Sequence, residues 1–379
     1  MRATRRAGST NPRSAPDDRE LRLWRVGRAL TVAFIAALLV AGGAFYSLLV
    51  VLDFQEIDTT AKLDAKTLFD LVKLSFGVVA GAGALVALVV AYRRQRVDEA
   101  GAHREATRLH TERFSQAVDK LGSDSPAVRL GGVHALAGLA DDARDQSLRQ
   151  TCIDVLCAYL QLPFTPDPGG TDEEGHHRYL ALRNVRHTIL RLIGDHYRRP
   201  EGTHRSWQGC DLNLSGVTID TDLSFMGAVF SDGRVDFSYA VFSDGAVDFS
   251  GAQLSGGSVS FGRAVVSGGR LHFDRAVVSG GRLHFDHAVF SAGRLCFDYT
   301  AFSGGEVSFN FATFAGSEVT FARAAFSDSR VSVSGASFSG GRLSFDRAMG
   351  SAPNGLLDSL GTRVSPGVSL PPTWLPVNS

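Results

Sequence analysis

The chain has 379 residues, in which 39 Lys and Arg balance 39 Asp and Glu to a formal net charge of zero. That balance removes any global electrostatic case for a nucleic-acid partner, and none is expected. The length suits two or three folded parts, and the four cysteines, Cys152, Cys157, Cys210 and Cys296, are too few and too scattered for a disulfide framework. They are expected as reduced, mostly buried thiols.

Residues 1–28 hold Arg2, Arg5, Arg6, Arg13, Arg19, Arg22, Arg25 and Arg28 among Pro and Ser, and predict a disordered basic tail. Positions 29–52 carry no charge and are long enough to span a hydrocarbon core of about 30 Å. An acidic interval follows, and then a second apolar run at 74–92 that stops at Arg93-Arg94-Gln95-Arg96. The expectation is a two-helix transmembrane hairpin over 29–92, with Gly77, Gly81 and Gly83 offering small faces for close packing. Basic outer flanks place both termini in the cytoplasm by the positive-inside rule. That reading makes the chain a multi-pass plasma-membrane protein and the lipid bilayer one of its partners.

The segment 93–206 predicts a helical stalk and a small helical domain. Ala106, Leu109, Phe114, Ala117, Val118 and Leu121 keep helical spacing, and Ser125-Pro126 reads as an N-cap and first helical residue. The stretch 124–140 resembles the second helix of a HEAT-type repeat. A further helix is expected from about 145 to 161, then a loop over 163–175, then a helix from 177 to 198 stopped by Pro200. The adjacent His176 and His177 near Asp172, Glu173 and Glu174 are ligand-type residues, but a Gly-flanked loop lacks the fixed geometry a metal needs.

From 228 to 347 one twelve-residue unit is written ten times without insertion or deletion, beginning Ala-Val-Phe-Ser-Asp-Gly-Arg-Val-Asp-Phe-Ser-Tyr. Small and large residues two apart, such as Ala228 and Phe230 or Val235 and Phe237, point to one face of a short strand. These inward pairs are spaced alternately five and seven residues apart, the mark of a solenoid. The five-residue step closes through two residues such as Ser238-Tyr239, and the seven-residue step turns at a Gly-containing corner such as Ser267-Gly268-Gly269-Arg270. A twelve-residue coil leaves room inside only for small side chains, so a four-sided coil of two units is favoured, giving five coils at roughly 4.8 Å. Residues 212–225 supply an imperfect first coil, so the solenoid is expected over 207–350, with 351–379 a tail or a cap.

These small-large alternations, with the lead-in at Cys210-Asp211-Leu212, resemble pentapeptide-repeat proteins. The resemblance implies a right-handed quadrilateral β-helix, here with two residues added to every second side. With a hairpin ahead of the repeats, the layout is also similar to membrane-anchored actinobacterial pentapeptide-repeat proteins. The expected fold class is thus α+β multidomain: a two-helix transmembrane hairpin, a small α-helical domain, and a right-handed β-solenoid of 12-residue (5+7) repeats.

No unique catalytic constellation emerges. Repeated Ser-Gly-Gly runs are corners, Gly268-Gly269 lacks the Lys and helix of a phosphate loop, and His272, His284 and His287 read as surface residues. No catalytic, cofactor-binding or metal-binding residue is assigned, no cofactor is expected, and the chain is not read as an enzyme. Three outward features remain for binding: the corner series Arg234, Arg270, Arg282, Arg294, Arg330 and Arg342, a second basic series Arg263, Arg275, Arg323 and Arg347, and a ladder of Val229, Val241, Val265, Val277 and Val289.

The expected function is a membrane-anchored, non-catalytic scaffold on the cytoplasmic side that binds a protein partner of unspecified identity through the solenoid faces, with homo-oligomerisation left open. An alternative implied by the resemblance is a DNA mimic that binds type II topoisomerases. Mimicry needs a dense negative surface, and 228–348 holds eleven acidic residues against ten arginines. A transmembrane sensor is a further alternative, although an outer loop of about twenty residues makes a poor pocket.

Overall fold

The computed structural model describes a few helical positions between 32 and 46, then residues 65–143, 145–164, 167–169, 172–327, 330–360 and 367–375. The chain divides into two compact units, Met1–Ala106 and Thr107–Ser379.

The first unit corrects the expected hairpin. Most of the first expected span, 29–52, lies outside the described residues, as does the tail 1–28. The second, 74–92, is not an element of its own but a section of one helix, α1 (Ala65–Leu121). Lys66, Asp70 and Lys73 precede the apolar run, and the same helix continues through Arg93, Arg94, Arg96, Asp98 and Glu99. Among the described residues no helix is long and apolar enough to cross a membrane. The transmembrane hairpin and the two-span plasma-membrane location with cytoplasmic termini are therefore not supported, and the fold class loses its first element. Leu85, Leu88 and Val89 of α1 are exposed.

The second unit begins with the last turns of α1 crossing α2 (Pro126–Asp142). The crossing is close because Gly132 lacks a side chain: a Cβ there would meet the Leu121 nitrogen at 2.6 Å. Helix α3 (Gln146–Gln161) is capped by Asp145, whose carboxylate accepts from the Leu148 amide at 2.8 Å. Helix α4 (Glu173–Tyr197) starts earlier than its apolar spacing suggests. Asp172 caps it by accepting from the Gly175 amide at 3.0 Å, and Glu173 and Glu174 face the positive end of the helix dipole. His176 and His177 thus stand near the start of a helix rather than in a loop.

The repeats then build a parallel β-solenoid of about six turns with four faces. Each strand pairs with the one a full coil later, as in Val229 with Gln253, Arg234 with Ser258, Val241 with Val265 and Ala246 with Arg270, so one coil uses 24 residues, or two units. Two opposite faces carry strands such as Arg234–Asp236 and Ala246–Asp248, and the other two carry strands such as Val241–Phe242 and Gln253–Leu254. The lead-in coil is one residue short on two faces, where Leu212 pairs with Val235 and Thr218 with Val241.

The alternation of small and large residues becomes columns inside the prism. Phe225, Phe249, Phe273, Phe297, Phe321 and Phe345 stack at one corner with ring centroids 4.8–4.9 Å apart. Phe237, Phe261, Phe285 and Phe309 stack at the opposite corner at 4.7–5.0 Å. The two columns meet edge to face, as Phe273 does with Phe285 at 5.9 Å and 85°. Buried Ala240, Ala264, Ala288 and Ala312 leave room for these rings. Thr300 replaces an Ala in the other small column and remains satisfied, its hydroxyl donating to the Phe273 carbonyl at 2.7 Å.

The two kinds of corner have different backbone reasons. In the five-residue step, Ala240 N donates to Phe237 O at 3.0 Å, closing a β-turn whose third residue is left-handed: Tyr239 has φ 61°, Arg263 57° and Arg275 57°. In the seven-residue step, left-handed Gly occurs at Gly233, Gly245, Gly293 and Gly341. At the Gly-Gly corners other than Gly340-Gly341 no glycine is left-handed, and it is stacking that excludes a side chain. A Cβ at Gly280 would lie 2.3 Å from the Ser255 carbonyl of the preceding coil.

Both ends of the prism are covered. At the first coil, Tyr197 of α4 packs on Phe225 and Phe230 with centroids at 5.5 Å, and its hydroxyl donates to the Cys210 carbonyl at 2.7 Å. Burial, reinforced by the nearby Cys210 and Asp211, pushes the Tyr197 hydroxyl pKa well above its usual value. The Gln150 amide of α3 donates to the Asp211 carbonyl at 2.8 Å, while its oxygen accepts from the Asp211 amide at 2.9 Å. At the last coil, Trp374 packs edge-on against Phe326 and Phe345 and donates to the Gly350 carbonyl at 2.8 Å. Residues 367–375 therefore lie over the last coil.

Candidate functional site: the outer corners of the solenoid

A 24-residue coil decides which outward side chains are neighbours. The Arg series splits between opposite faces: Arg234, Arg282 and Arg330 lie on one, with Glu306 between the last two, and Arg270, Arg294 and Arg342 on the other, with Glu318 between the last two. Arg294 donates to Glu318 at 2.9 Å through Nε, and that carboxylate raises the Arg294 pKa. The Val ladder splits in the same way, and its most open member, Val277, is only 36% exposed. It is a weaker docking face than its composition suggests.

The second basic series acquires aromatic neighbours. At one left-handed corner, Tyr239, Arg263, His287 and Phe311 follow one another at 24-residue steps, and at the other stand Arg275, Tyr299, Arg323 and Arg347. Arg263 lies 5.5 Å from the Tyr239 ring centroid and donates to its hydroxyl at 2.6 Å. Tyr299 is flanked by Arg275 at 5.9 Å and Arg323 at 5.3 Å, and Arg323 donates to its hydroxyl at 2.6 Å. His287 stacks on Phe311 at 5.2 Å. Tyr239, Tyr299 and Phe311 are 57%, 50% and 60% exposed, so these rings face solvent while held by their neighbours.

A third cluster brings together residues that appeared unrelated along the chain. His272 and Cys296 are direct partners across adjacent coils, and Asp274 lies two residues after His272 at the same edge. One ligand atom from each of the three lies within 4.8 Å of the others. His272 Nδ1 is 3.3 Å from Asp274 Oδ2, while Asp274 Oδ1 accepts from the Asp298 amide at 3.2 Å. Burial, then the Asp274 and Asp298 carboxylates, push the Cys296 thiol up to about 12. His284, which shares the repeat position of His272, lies on the opposite face beside Ser260 and Ser308. The period alone carried this signal, provided it was taken as 24 residues rather than 12.

A shallow cleft of about 530 Å³ runs between α4 and the first coils, lined by His187, Arg191, Asp195, Asp222 and Ser224 among others. Beside it Asp220 accepts from Arg183 Nε at 2.6 Å and pairs with His187 Nε2 at 2.8 Å. Burial alone would raise the Asp220 pKa, but the hydrogen bonds from His187 and Arg183 outweigh it and hold the carboxyl at about 2. These bonds fasten the helical cap to the solenoid. His176 pairs with Asp167 at 2.8 Å, and among the described residues it forms no ligand group with His177. All four cysteines are free and buried, and burial pushes Cys152 to about 11 and Cys157 to about 12.

No family model, no curated protein and no solved structure matches this chain. The parallel four-faced solenoid is consistent with a pentapeptide-repeat β-helix, and nothing in the comparisons supports the membrane-anchored type.

Proposed function

We propose that the chain is a non-catalytic interaction module whose solenoid holds a protein partner at its outer corners. The observation that carries this reading is the pair of exposed Arg–aromatic columns around Tyr239, Tyr299 and Phe311. Tyr and Arg dominate binding hot spots because they bring large area and hydrogen bonds at low conformational cost. Here rings and guanidinium groups already hold one another, which lowers the entropy lost on docking. The repetition of the surrounding positions also argues for structure over chemistry, because catalysis needs a unique constellation. Near-equal charge over the solenoid disfavours the duplex-DNA mimic.

The test places a photo-crosslinking amino acid at Phe311 or Tyr299 in the full chain in its native cells, with Ser337 on a flat face as control. Discrete adducts from the corner positions, lost when Tyr239 and Arg263 are both changed to Asn, support the reading. Asn is chosen because it tolerates the left-handed backbone. Adducts equal at corner and control positions, or none at either, refute it.

A further inference from the structure

Along the outer edges of the solenoid one polar device recurs. An Asp or Asn at a five-residue corner is bonded by a hydroxyl from the next coil, 22 residues on. Ser308 Oγ donates to Asp286, Thr320 Oγ1 to Asp298 at 2.6 Å, and Ser332 Oγ to Asn310 at 2.7 Å. At the equivalent place beside Asp274 the residue is Cys296, a thiol where the neighbours have a hydroxyl. A thiol is a weak hydrogen-bond donor and a strong metal ligand. The coil below Cys296 supplies His272 at the register-matched position. In the quasi-equivalent group on the opposite face, Ser308 satisfies Asp286, and His284 stands 4.0 Å from that carboxylate. Beside Cys296, His272 approaches Asp274 to 3.3 Å instead.

We propose that His272 Nδ1, Asp274 Oδ2 and Cys296 Sγ form a three-ligand site for a zinc-type divalent metal. One nitrogen, one oxygen and one sulfur suit a borderline-soft ion, and three protein ligands leave a fourth position for water. Bonds of about 2.0–2.3 Å in a tetrahedron set the donor atoms roughly 3.3–3.8 Å apart; His272 Nδ1 and Asp274 Oδ2 already stand at 3.3 Å, and one ligand atom from each of the three residues lies within 4.8 Å of the others. The side chains of His272 and Asp274 are 26% and 34% exposed, which gives the ion an entry path, while Cys296 is 6% exposed. The Asp298 amide holds the other oxygen of Asp274, a supporting contact of the kind that orients metal-bound carboxylates. Strand pairing fixes His272 and Cys296 on adjacent rungs, so the site is preorganised by the ladder itself. Binding breaks the S–H bond and forms a metal–sulfur bond, and the proton goes to solvent. No redox change is involved.

The test titrates chelator-stripped full chain with Co²⁺, whose thiolate-to-metal charge-transfer absorption reports sulfur ligation, followed by displacement with Zn²⁺. The expected result is one equivalent bound with a thiolate band that disappears in Cys296→Ser. In His272→Asn and Asp274→Asn the affinity is expected to fall by about tenfold or more. A thermal midpoint raised by Zn²⁺ in the wild type and unmoved in Cys296→Ser supplies a second readout. Absence of a thiolate band in the wild type overturns the proposal. So does a band that survives Cys296→Ser, since it would come from Cys152, Cys157 or Cys210. If Cys296→Ser does not fold, the two Asn variants decide: affinity unchanged in both overturns the site.

Discussion

Replacing Phe273 with Ala tests the stacked column at its middle. Phe273 is 0% exposed, lies face to face with Phe249 and Phe297 at 4.8 Å, and meets Phe261 and Phe285 edge-on at 6.1 and 5.9 Å. Burying a Phe side chain is worth about 1.5–3 kcal/mol. Each of two stacked pairs adds about 0.5–1.5 kcal/mol, and the coils above and below cannot collapse into the gap because their backbones are hydrogen-bonded at fixed spacing. The expected loss is therefore about 3–5 kcal/mol, the usual range for a buried Phe truncation. Guanidinium chloride unfolding of the full chain, followed by circular dichroism, measures it against Val277→Ala. Val277 is 36% exposed on an outer face, and its truncation is expected to cost within about 0.5 kcal/mol. A Phe273→Ala loss no larger than that of Val277→Ala would refute the packed-column argument.

Other outcomes follow from the same stacking. Gly280→Ala, whose Cβ would sit 2.3 Å from the Ser255 carbonyl, is expected to lower stability by more than about 1 kcal/mol, whereas Gly262→Ala, with its nearest neighbour at 3.5 Å, is expected to be near neutral in a thermal melt. Arg275, at φ 57°, is expected to tolerate Gly or Asn with little change and to lose about 1–2 kcal/mol as Val, since a branched side chain resists that conformation. Asp220 has a folded pKa of about 2 against an ordinary 3.8, so its stabilisation is present above pH 3.8 and is lost as pH falls through about 2. With the side chain 22% exposed, screening limits this to about 1–2 kcal/mol, and Asp220→Asn is expected to flatten that part of an acid-unfolding curve. Trp374→Ala is expected to raise hydrogen exchange in 337–350 while leaving the first coils protected, because each coil touches only its neighbours.

The period, the inward pairs and the four-sided coil were legible because a strand's alternation writes burial directly into sequence, and Phe rings are too large for a narrower coil. Lateral neighbours were harder to read. Arg263 and Tyr239, or His272 and Cys296, become adjacent only when the chain is folded at 24 residues, and a twelve-residue alignment sets His272 beside His284 instead. The Gly-Gly corners were legible as turns, but their reason, a carbonyl of the preceding coil, belongs to stacking and leaves no local mark. Asp172 explains the early start of α4, a capping signal masked by the Gly-rich and acidic context of that loop. The apolar run at 74–92 was read as a separate rod because composition shows where charge is absent but not where a helix begins and ends, and α1 extends through charge on both sides. Trp374 left the choice between tail and cap open, since a lone aromatic in a Pro-rich segment has no period to assign it.

The lids at both ends also constrain how such a chain can change in length. An inserted or deleted segment of 24 residues would return every downstream side to the face it left, and Trp374 would still meet a Phe column like the one it covers now. A change of twelve would turn everything downstream by half a revolution, but the closing segment and the coil it seats on would turn together, so Trp374 would keep Phe326 and Phe345 while one ring column ran on into the other. Growth by one unit or by two thus preserves both lids, and each whole lap lengthens the prism by a single strand spacing of about 4.8 Å.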